Sequence, residues 1–356
     1  MKGNLKLVIL LLCMFLAVFY SYSVRPDDFS TIETLKFPTG EGATDIEKTL
    51  SSLTKVQGAE NMYMMTYYGD YQEQLEKDSK LLIDLKTGRV KPKCSLISLT
   101  ADKNNPMFGR NFDFANSGII ITRYQPPNKY ESIAFTPSTT IFLPKDFDPE
   151  RLSMEVKQNA LHTAFLSTCG MNEKGLVVAL ASTASVPTKE EKGLKFVYKT
   201  LWLRELLDNA KDVEEAVEIT KTLRAFDELN DIQHHMLVAD AKGNSVAIEF
   251  AKGDWRFFYE ENPWQVVTNS ALYNRTHEEK EKMCWRYKKA SKILEELGGR
   301  GDWQDTMRTL KAVTQGQPID NSSTGTLFSF AADISNRTIY LCTHSEYDKV
   351  YKFGFE

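Results

Sequence analysis

Cysteine is scarce in this chain, with five in 356 residues. Cys13, Cys94, Cys169, Cys284 and Cys342 are widely spaced and form no CxxC pair, which excludes a disulfide framework and a zinc site built on cysteine pairs. No HExxH occurs, and the adjacent histidines His234-His235 fall in a strand pattern, where neighbours face opposite sides and cannot readily share a metal. A structural role is expected for that pair, and neither a metal nor an organic cofactor is implied. Positive charge is not concentrated: the net charge is −4, the pI is near 5.9, and no run of Lys or Arg is interleaved with aromatics. Nucleic-acid binding therefore has no support. Internal repeats and low-complexity tracts are absent, so the chain is not a repeat array.

What is present is a globular composition, 42% hydrophobic, enough for one large domain or two small ones. In front of it, Lys2 and Lys6 precede an apolar run over residues 7–20. Its length suits a signal-peptide core; counted on to Val24 it also just spans a bilayer, so a cleaved signal and a retained membrane anchor stand level. Positive charge on its N-terminal side places the remainder outside the cytoplasm. Cys13 lies inside this run as an ordinary apolar residue. Residues 24–54 are polar, with Pro26, Pro38, Gly40 and Gly42, and are expected to be a linker entering the folded part near residues 46–55. The aromatic and methionine patch over residues 61–71 is expected to pack against the main domain. The expected division is 1–23 signal or anchor, 24–93 linker and packing segment, and 94–356 main domain.

Past residue 93, short β-branched or alternating runs predict strands over 94–100, 108–114, 176–181, 235–239 and 245–250, the last two joined as a hairpin at Asp240-Ala241-Lys242-Gly243-Asn244. Two more, 326–332 and 338–342, flank a turn at 333–337. Apolar residues at three- and four-residue spacing predict helices over 198–209, 213–223, 278–297 and 302–313, with Asp212 and Asp302 as N-caps. This order fits an α+β fold of two antiparallel sheets covered by helices better than alternating βαβ units.

Cys94 opens the first of these strands, and sixteen positions later the chain reads Gly109-Arg110-Asn111-Phe112-Asp113-Phe114. A lone strand cysteine is ordinarily a buried small hydrophobe. If the bond between Lys93 and Cys94 were cut, however, Cys94 would carry a free α-amino group beside its own thiol. Such an amine titrates near about 7.7–8.0, so at neutral pH it can take the thiol proton and later protonate a leaving amine.

At GRNFDF the chain resembles the Ntn hydrolases that cleave linear amides: choloylglycine hydrolases, penicillin V acylases, N-acylethanolamine acid amidase, acid ceramidase and acyltransferase-like peptidases. Further matching segments are Gly170-Met171-Asn172-Glu173-Lys174-Gly175-Leu176, Asn262-Pro263-Trp264-Gln265-Val266-Val267-Thr268-Asn269, Cys284-Trp285-Arg286-Tyr287 and Thr326-Leu327-Phe328-Ser329, with Ser51-Ser52-Leu53-Thr54-Lys55-Val56 and Tyr67-Tyr68-Gly69-Asp70-Tyr71 ahead of the cysteine. Their shared order is more specific than any one of them. The resemblance implies a four-layer αββα sandwich with Cys94 as nucleophile, Arg110 favouring the thiolate, and Asp113 orienting the new α-amino group. It gives Asn269 the oxyanion and Arg286 a bracing role. One departure is that an oxyanion asparagine expected after GMNEKGL falls on Ser182, whose hydroxyl or a neighbouring N–H would have to substitute.

Blander readings stand beside these. Arg110 and Asp113 would also suit a structural ion pair, Asn269 a turn, and Arg286 a solvated helix face; Asn172 and Gly175 read as a tight turn. Asn274-Arg275-Thr276, Asn321-Ser322-Ser323 and Asn336-Arg337-Thr338 are glycosylation sequons. The expectation is an exported, self-processing cysteine amidase acting on a small N-acyl amide, without cofactor or nucleic-acid partner, free or tethered to a membrane, and open to homo-oligomerisation. The rivals are an acyltransferase, in which an amine resolves the thioester, and a membrane-tethered binding protein that keeps the fold without turnover.

Overall fold

A computed structural model of the protein describes residues 28–84, 93–183, 195–226, 233–259, 262–317 and 324–355. The expected signal or anchor segment lies outside these, as does Asn321. No helix among the described residues is long and apolar enough to cross a membrane.

Two large sheets face each other. One has seven strands in the order β1 (Thr31–Thr34), β18 (Lys349–Gly354), β17 (Thr338–Thr343), β16 (Gly325–Asp333), β5 (Met107–Phe114), β4 (Lys93–Leu99) and β15 (Trp264–Val267). The other has nine: β14 (Asp254–Phe258), β13 (Ser245–Ala251), β12 (Gln233–Ala239), β9 (Val177–Thr183), β8 (Cys169–Asn172), β7 (Ser132–Pro137), β6 (Ile119–Gln125), β3 (Met62–Tyr68) and β2 (Thr54–Lys55). A small third sheet pairs β10 (Lys195–Tyr198) with β11 (Leu223–Phe226).

Strand alternation sorts the side chains into layers. On β4, Leu96 joins Phe108, Phe112, Ile121, Phe135 and Phe328 between the sheets, whereas Ile97 and Leu99 turn outward to the helices. Those are α6 (Trp285–Glu296) and α7 (Trp303–Ala312), which supply Tyr287, Ala290, Leu294, Met307 and Leu310. The far face of the nine-stranded sheet is covered by α1 (Asp45–Ser52), α2 (Gln72–Asp84), α3 (Lys199–Asn209) and α4 (Val213–Lys221), which pack Leu50, Leu75, Trp202, Leu206 and Val217 against it. The result is helix, sheet, sheet, helix. The expected caps are present: Asp212 and Asp302 accept from the N–H groups of Glu215 and Asp305.

Two details differ from the sequence expectation. The sheets are not purely antiparallel. Each holds one parallel pair, β1 on β18 in the first and β3 on β6 in the second, along seven residues in the latter case. Both added strands precede Cys94, including one in the stretch expected to be a linker. A parallel pair needs a long crossover, and the excursion through β4 and β5 in the opposite sheet supplies it between β3 and β6. The helix expected over 278–297 is two helices, α5 (His277–Met283) and α6, separated by Cys284 in extended conformation at φ −143°, ψ 113°. This break resets the buried face of α6, so that Arg286, Tyr287, Ala290 and Leu294 point inward together.

Candidate active site

Cys94 is the second residue of β4, paired with Phe112 of β5, and Lys93 pairs with Asp113. The opposite edge of β4 is taken by β15 running antiparallel, with Val267 against Leu96. Continuing that register carries the chain past β15 to Asn269 beside Cys94, and the Asn269 Oδ1 accepts the Cys94 backbone N–H at 2.8 Å. The same oxygen accepts from Arg286 Nη2 at 2.8 Å. The Asn269 Nδ2 donates across to the nine-stranded sheet, to the Ser182 carbonyl at 2.7 Å and its Oγ at 3.1 Å. Asn269 therefore bridges the two sheets at Cys94.

Arg286 enters from α6. Its Nη1 donates to the Cys94 carbonyl and, at 3.0 Å, to Ser95 Oγ, and lies 3.6 Å from Asp113 Oδ2. It is buried, so the solvated-helix reading does not hold. Arg110 lies two positions before Phe112 on β5, hence on the same inter-sheet face as Cys94. Its Nη1 donates to the Thr168 carbonyl at 2.6 Å and its Nη2 to Cys94 Sγ at 3.5 Å. Arg110 and Asp113 thus sit on opposite faces of β5 and are not a simple ion pair with one another.

Electrostatics follow from burial. The Cys94 side chain is almost fully enclosed, and loss of water pushes its thiol above the ordinary value; Arg110 and Arg286 oppose this, while the Asp113 charge adds to it. Burial likewise pushes the Asp113 carboxyl up, to about 6, against the pull of Arg286, the Thr326 hydroxyl, Arg110 and Lys93. Asp113 Oδ1 accepts from Thr326 Oγ1 at 2.7 Å, but its buried Oδ2 accepts no hydrogen bond from any described residue. Cys169, also buried, has its thiol pushed up to about 11, burial again leading. That suits an inert cysteine.

All five residues singled out in the sequence meet at Cys94, and Ser182 joins them through Asn269. Sequence reasoning gave no role to Thr326, Ser95 or the Thr168 carbonyl. Thr326 lies directly opposite Asp113 across β16 and β5, a register that only the folded sheet reveals. Asn172 serves the turn expected of it: its Oδ1 accepts the N–H groups of Lys174 and Leu176. No group of three His, Cys, Asp or Glu converges to hold a metal among the described residues. Two open surface clefts, one beside Lys103 and Tyr259 and one beside Lys55 and Asp146, contain none of the site residues.

The architecture is shared with solved structures. A mutant of the conjugated bile acid hydrolase from Clostridium perfringens aligns with a TM-score of 0.52 at 14% identity, covering 74% of this chain and 92% of that one. A second variant of that hydrolase gives 0.53 at 15%, covering 73% and 92%. Penicillin V acylase from Agrobacterium tumefaciens gives 0.50 at 16%, covering 74% and 86%. No curated protein sequence matches the chain. Fold and family together define a hydrolase of the N-terminal-nucleophile type, acting on carbon–nitrogen bonds of linear amides other than peptide bonds. More particularly, the chain belongs to the linear amide C–N hydrolases, choloylglycine hydrolase family, whose model matches residues 94–295, over half of the chain.

Proposed function

We propose that the protein is an exported amidase that activates itself by cutting the bond between Lys93 and Cys94, and then hydrolyses a small N-acyl amide. The observation that carries this reading is the crowding of buried polar groups around that single peptide bond. Asn269 holds the Cys94 nitrogen, Arg286 holds the Cys94 carbonyl, Arg110 touches the sulfur, and Asp113 keeps one buried oxygen without a donor. A buried carboxylate oxygen without a hydrogen bond is costly even with the Arg286 guanidinium 3.6 Å away; a new α-ammonium group would give it a charged donor.

In the self-cleavage step the Cys94 sulfur attacks the Lys93 carbonyl carbon. The carbon–nitrogen bond breaks, the Cys94 nitrogen takes the proton given up by the thiol and becomes the α-amine, and Lys93 is left as a thioester on the sulfur that water hydrolyses to the free carboxylate and thiol. In turnover the α-amine removes the Cys94 thiol proton, the sulfur attacks the substrate carbonyl, and the oxyanion takes an N–H of Asn269 in place of its contact with Ser182 Oγ. The leaving amine receives the proton, and water releases the acid from the thioester. An apolar acyl group suits the surroundings, since Phe112, Val267 and Leu272 share the apolar layer with Cys94. Export rests on residues 1–23.

Intact mass and N-terminal sequencing of wild type and Cys94→Ala test the reading. Expected is a wild-type fragment beginning Cys-Ser-Leu-Ile that the variant does not produce. An uncut wild-type chain under acid, neutral and reducing conditions would overturn it.

A further inference from the structure

We propose that His235 and Glu249, buried side by side under the Asn269 loop, form a positioning pair that sets Asn269 against Cys94. This rests on the reading of Cys94 as the self-cleaving residue. His235 belongs to the histidine pair that the sequence placed outside the chemistry.

The chain leaves β15 at Val267, and the loop that follows carries Asn269. The nine-stranded sheet supplies the fixing points. The His235 Nε2 on β12 donates to the Thr268 carbonyl at 2.5 Å. On β13, Glu249 accepts the Leu272 N–H at 2.8 Å through Oε2 and the Tyr273 N–H at 3.0 Å through Oε1. The Glu249 Oε2 also faces His235 Nδ1 at 3.2 Å. One histidine and one carboxylate thereby pin both ends of the loop that carries Asn269.

The residue types are restrictive. Both His235 nitrogens face oxygen atoms, the Thr268 carbonyl on one side and the Glu249 carboxyl on the other. The Glu249 carboxylate meets donors alone, two from the backbone and one from the ring. Burial pushes its carboxyl up, but the His235 bond and the two backbone N–H groups outweigh this and hold it below its ordinary value. His235 is fully buried and Glu249 is 3% exposed. A buried polar pair is a weak source of stability compared with apolar packing, so stability alone gives little reason to place one here. Its geometric output is Asn269, which must meet both Cys94 and Ser182, and an error of about 1 Å in such an arrangement costs on the order of 100-fold in rate.

The test follows cleavage of the protein's own bond, by pulse-labelled cell-free translation and gel or mass readout, with circular dichroism to confirm folding. His235→Met, which keeps bulk and removes both donors, is expected to slow cleavage at least about tenfold. His235→Gln, which keeps one donor for Thr268, should recover part of the rate, and Glu249→Gln should fall between them. In an Asn269→Ser background, His235→Met is expected to add less than about twofold, because residues acting through one another are not additive. Wild-type rates in folded His235→Met and Glu249→Gln, or effects that multiply fully with Asn269→Ser, would overturn the proposal. Should His235→Met not fold, His235→Gln and Glu249→Gln decide alone. A wild-type chain that never cuts would instead overturn the self-processing reading itself.

Discussion

Asp113 offers a quantitative test of the site before any substrate is in hand. Burial pushes the Asp113 carboxyl up to about 6, against an ordinary value of 3.8, and Cys94→Ala, which lacks the sulfur of the proposed cut, is the background in which to measure it. Between those values the folded chain holds a proton that the unfolded chain has lost. Stability from this group therefore falls as pH rises from about 4, and its full cost persists above about 6. A gap of roughly two units at about 1.4 kcal/mol per unit corresponds to about 3 kcal/mol, of which about 2 kcal/mol develops between about pH 4.5 and 7.5. Replacing Asp113 by Asn removes the charge and keeps the shape. Urea denaturation of Cys94→Ala and of Cys94→Ala/Asp113→Asn, followed by tryptophan fluorescence at both pH values, should show the Asn chain gaining about 2 kcal/mol relative to its parent on going to the higher pH. Other titrating groups cancel in the comparison. A difference between the two chains that stays constant with pH would refute the argument that burial outweighs Arg286, Arg110 and the Thr326 hydroxyl.

Much of this site was legible because it is carried by local signals. Alternation marks 94–100 and 108–114 as strands, and the turn chemistry of Asp240 to Asn244 and the caps at Asp212 and Asp302 are short-range features that the structure reproduces. What was not legible is long-range. Nothing in Thr31–Thr34 or Met62–Tyr68 announces a parallel partner, because β18 and β6 lie far along the chain and alternation does not name a neighbour. The break at Cys284 was hidden for a related reason: helical periodicity runs through 278–297, and the contact of Arg286 with the Cys94 carbonyl, 192 residues away, lies outside any local pattern. That the Ser182 carbonyl and hydroxyl also accept from the Asn269 amide is a contact between opposite sheets, which sequence spacing does not show. His235 looked inert because sequence shows its strand neighbour and not the loop above it.

Two further outcomes follow from the same contacts. Arg110→Met removes the cation nearest the sulfur, so the pH at which Cys94 is half-alkylated by iodoacetamide should rise by about a unit or more; an unchanged profile would show that Arg110 serves only the Thr168 carbonyl. The second concerns the segment ahead of the proposed cut, which should stay attached if the chain is cleaved there. Its β1 strand is largely exposed and contributes little, but β3 pairs along seven residues with β6. Met62, Tyr63, Met64, Met65, Tyr67 and Tyr71 are all buried, Tyr63 stacks on Phe147 at 3.8 Å, and Tyr71 donates to Asp208 at 2.5 Å. Exposing six such side chains, at about 1.5–3 kcal/mol each, would cost on the order of 10 kcal/mol. A micromolar dissociation constant corresponds to about 8 kcal/mol, so this burial, with the ladder hydrogen bonds added, is large enough to offset much of the cost of ordering the segment. The two fragments of the cut protein should therefore co-elute on size exclusion in native buffer and separate only in denaturant. Elution of the fragment starting at Cys94 alone, folded and active, would mean that β3 is dispensable and that the nine-stranded sheet tolerates ending at β6.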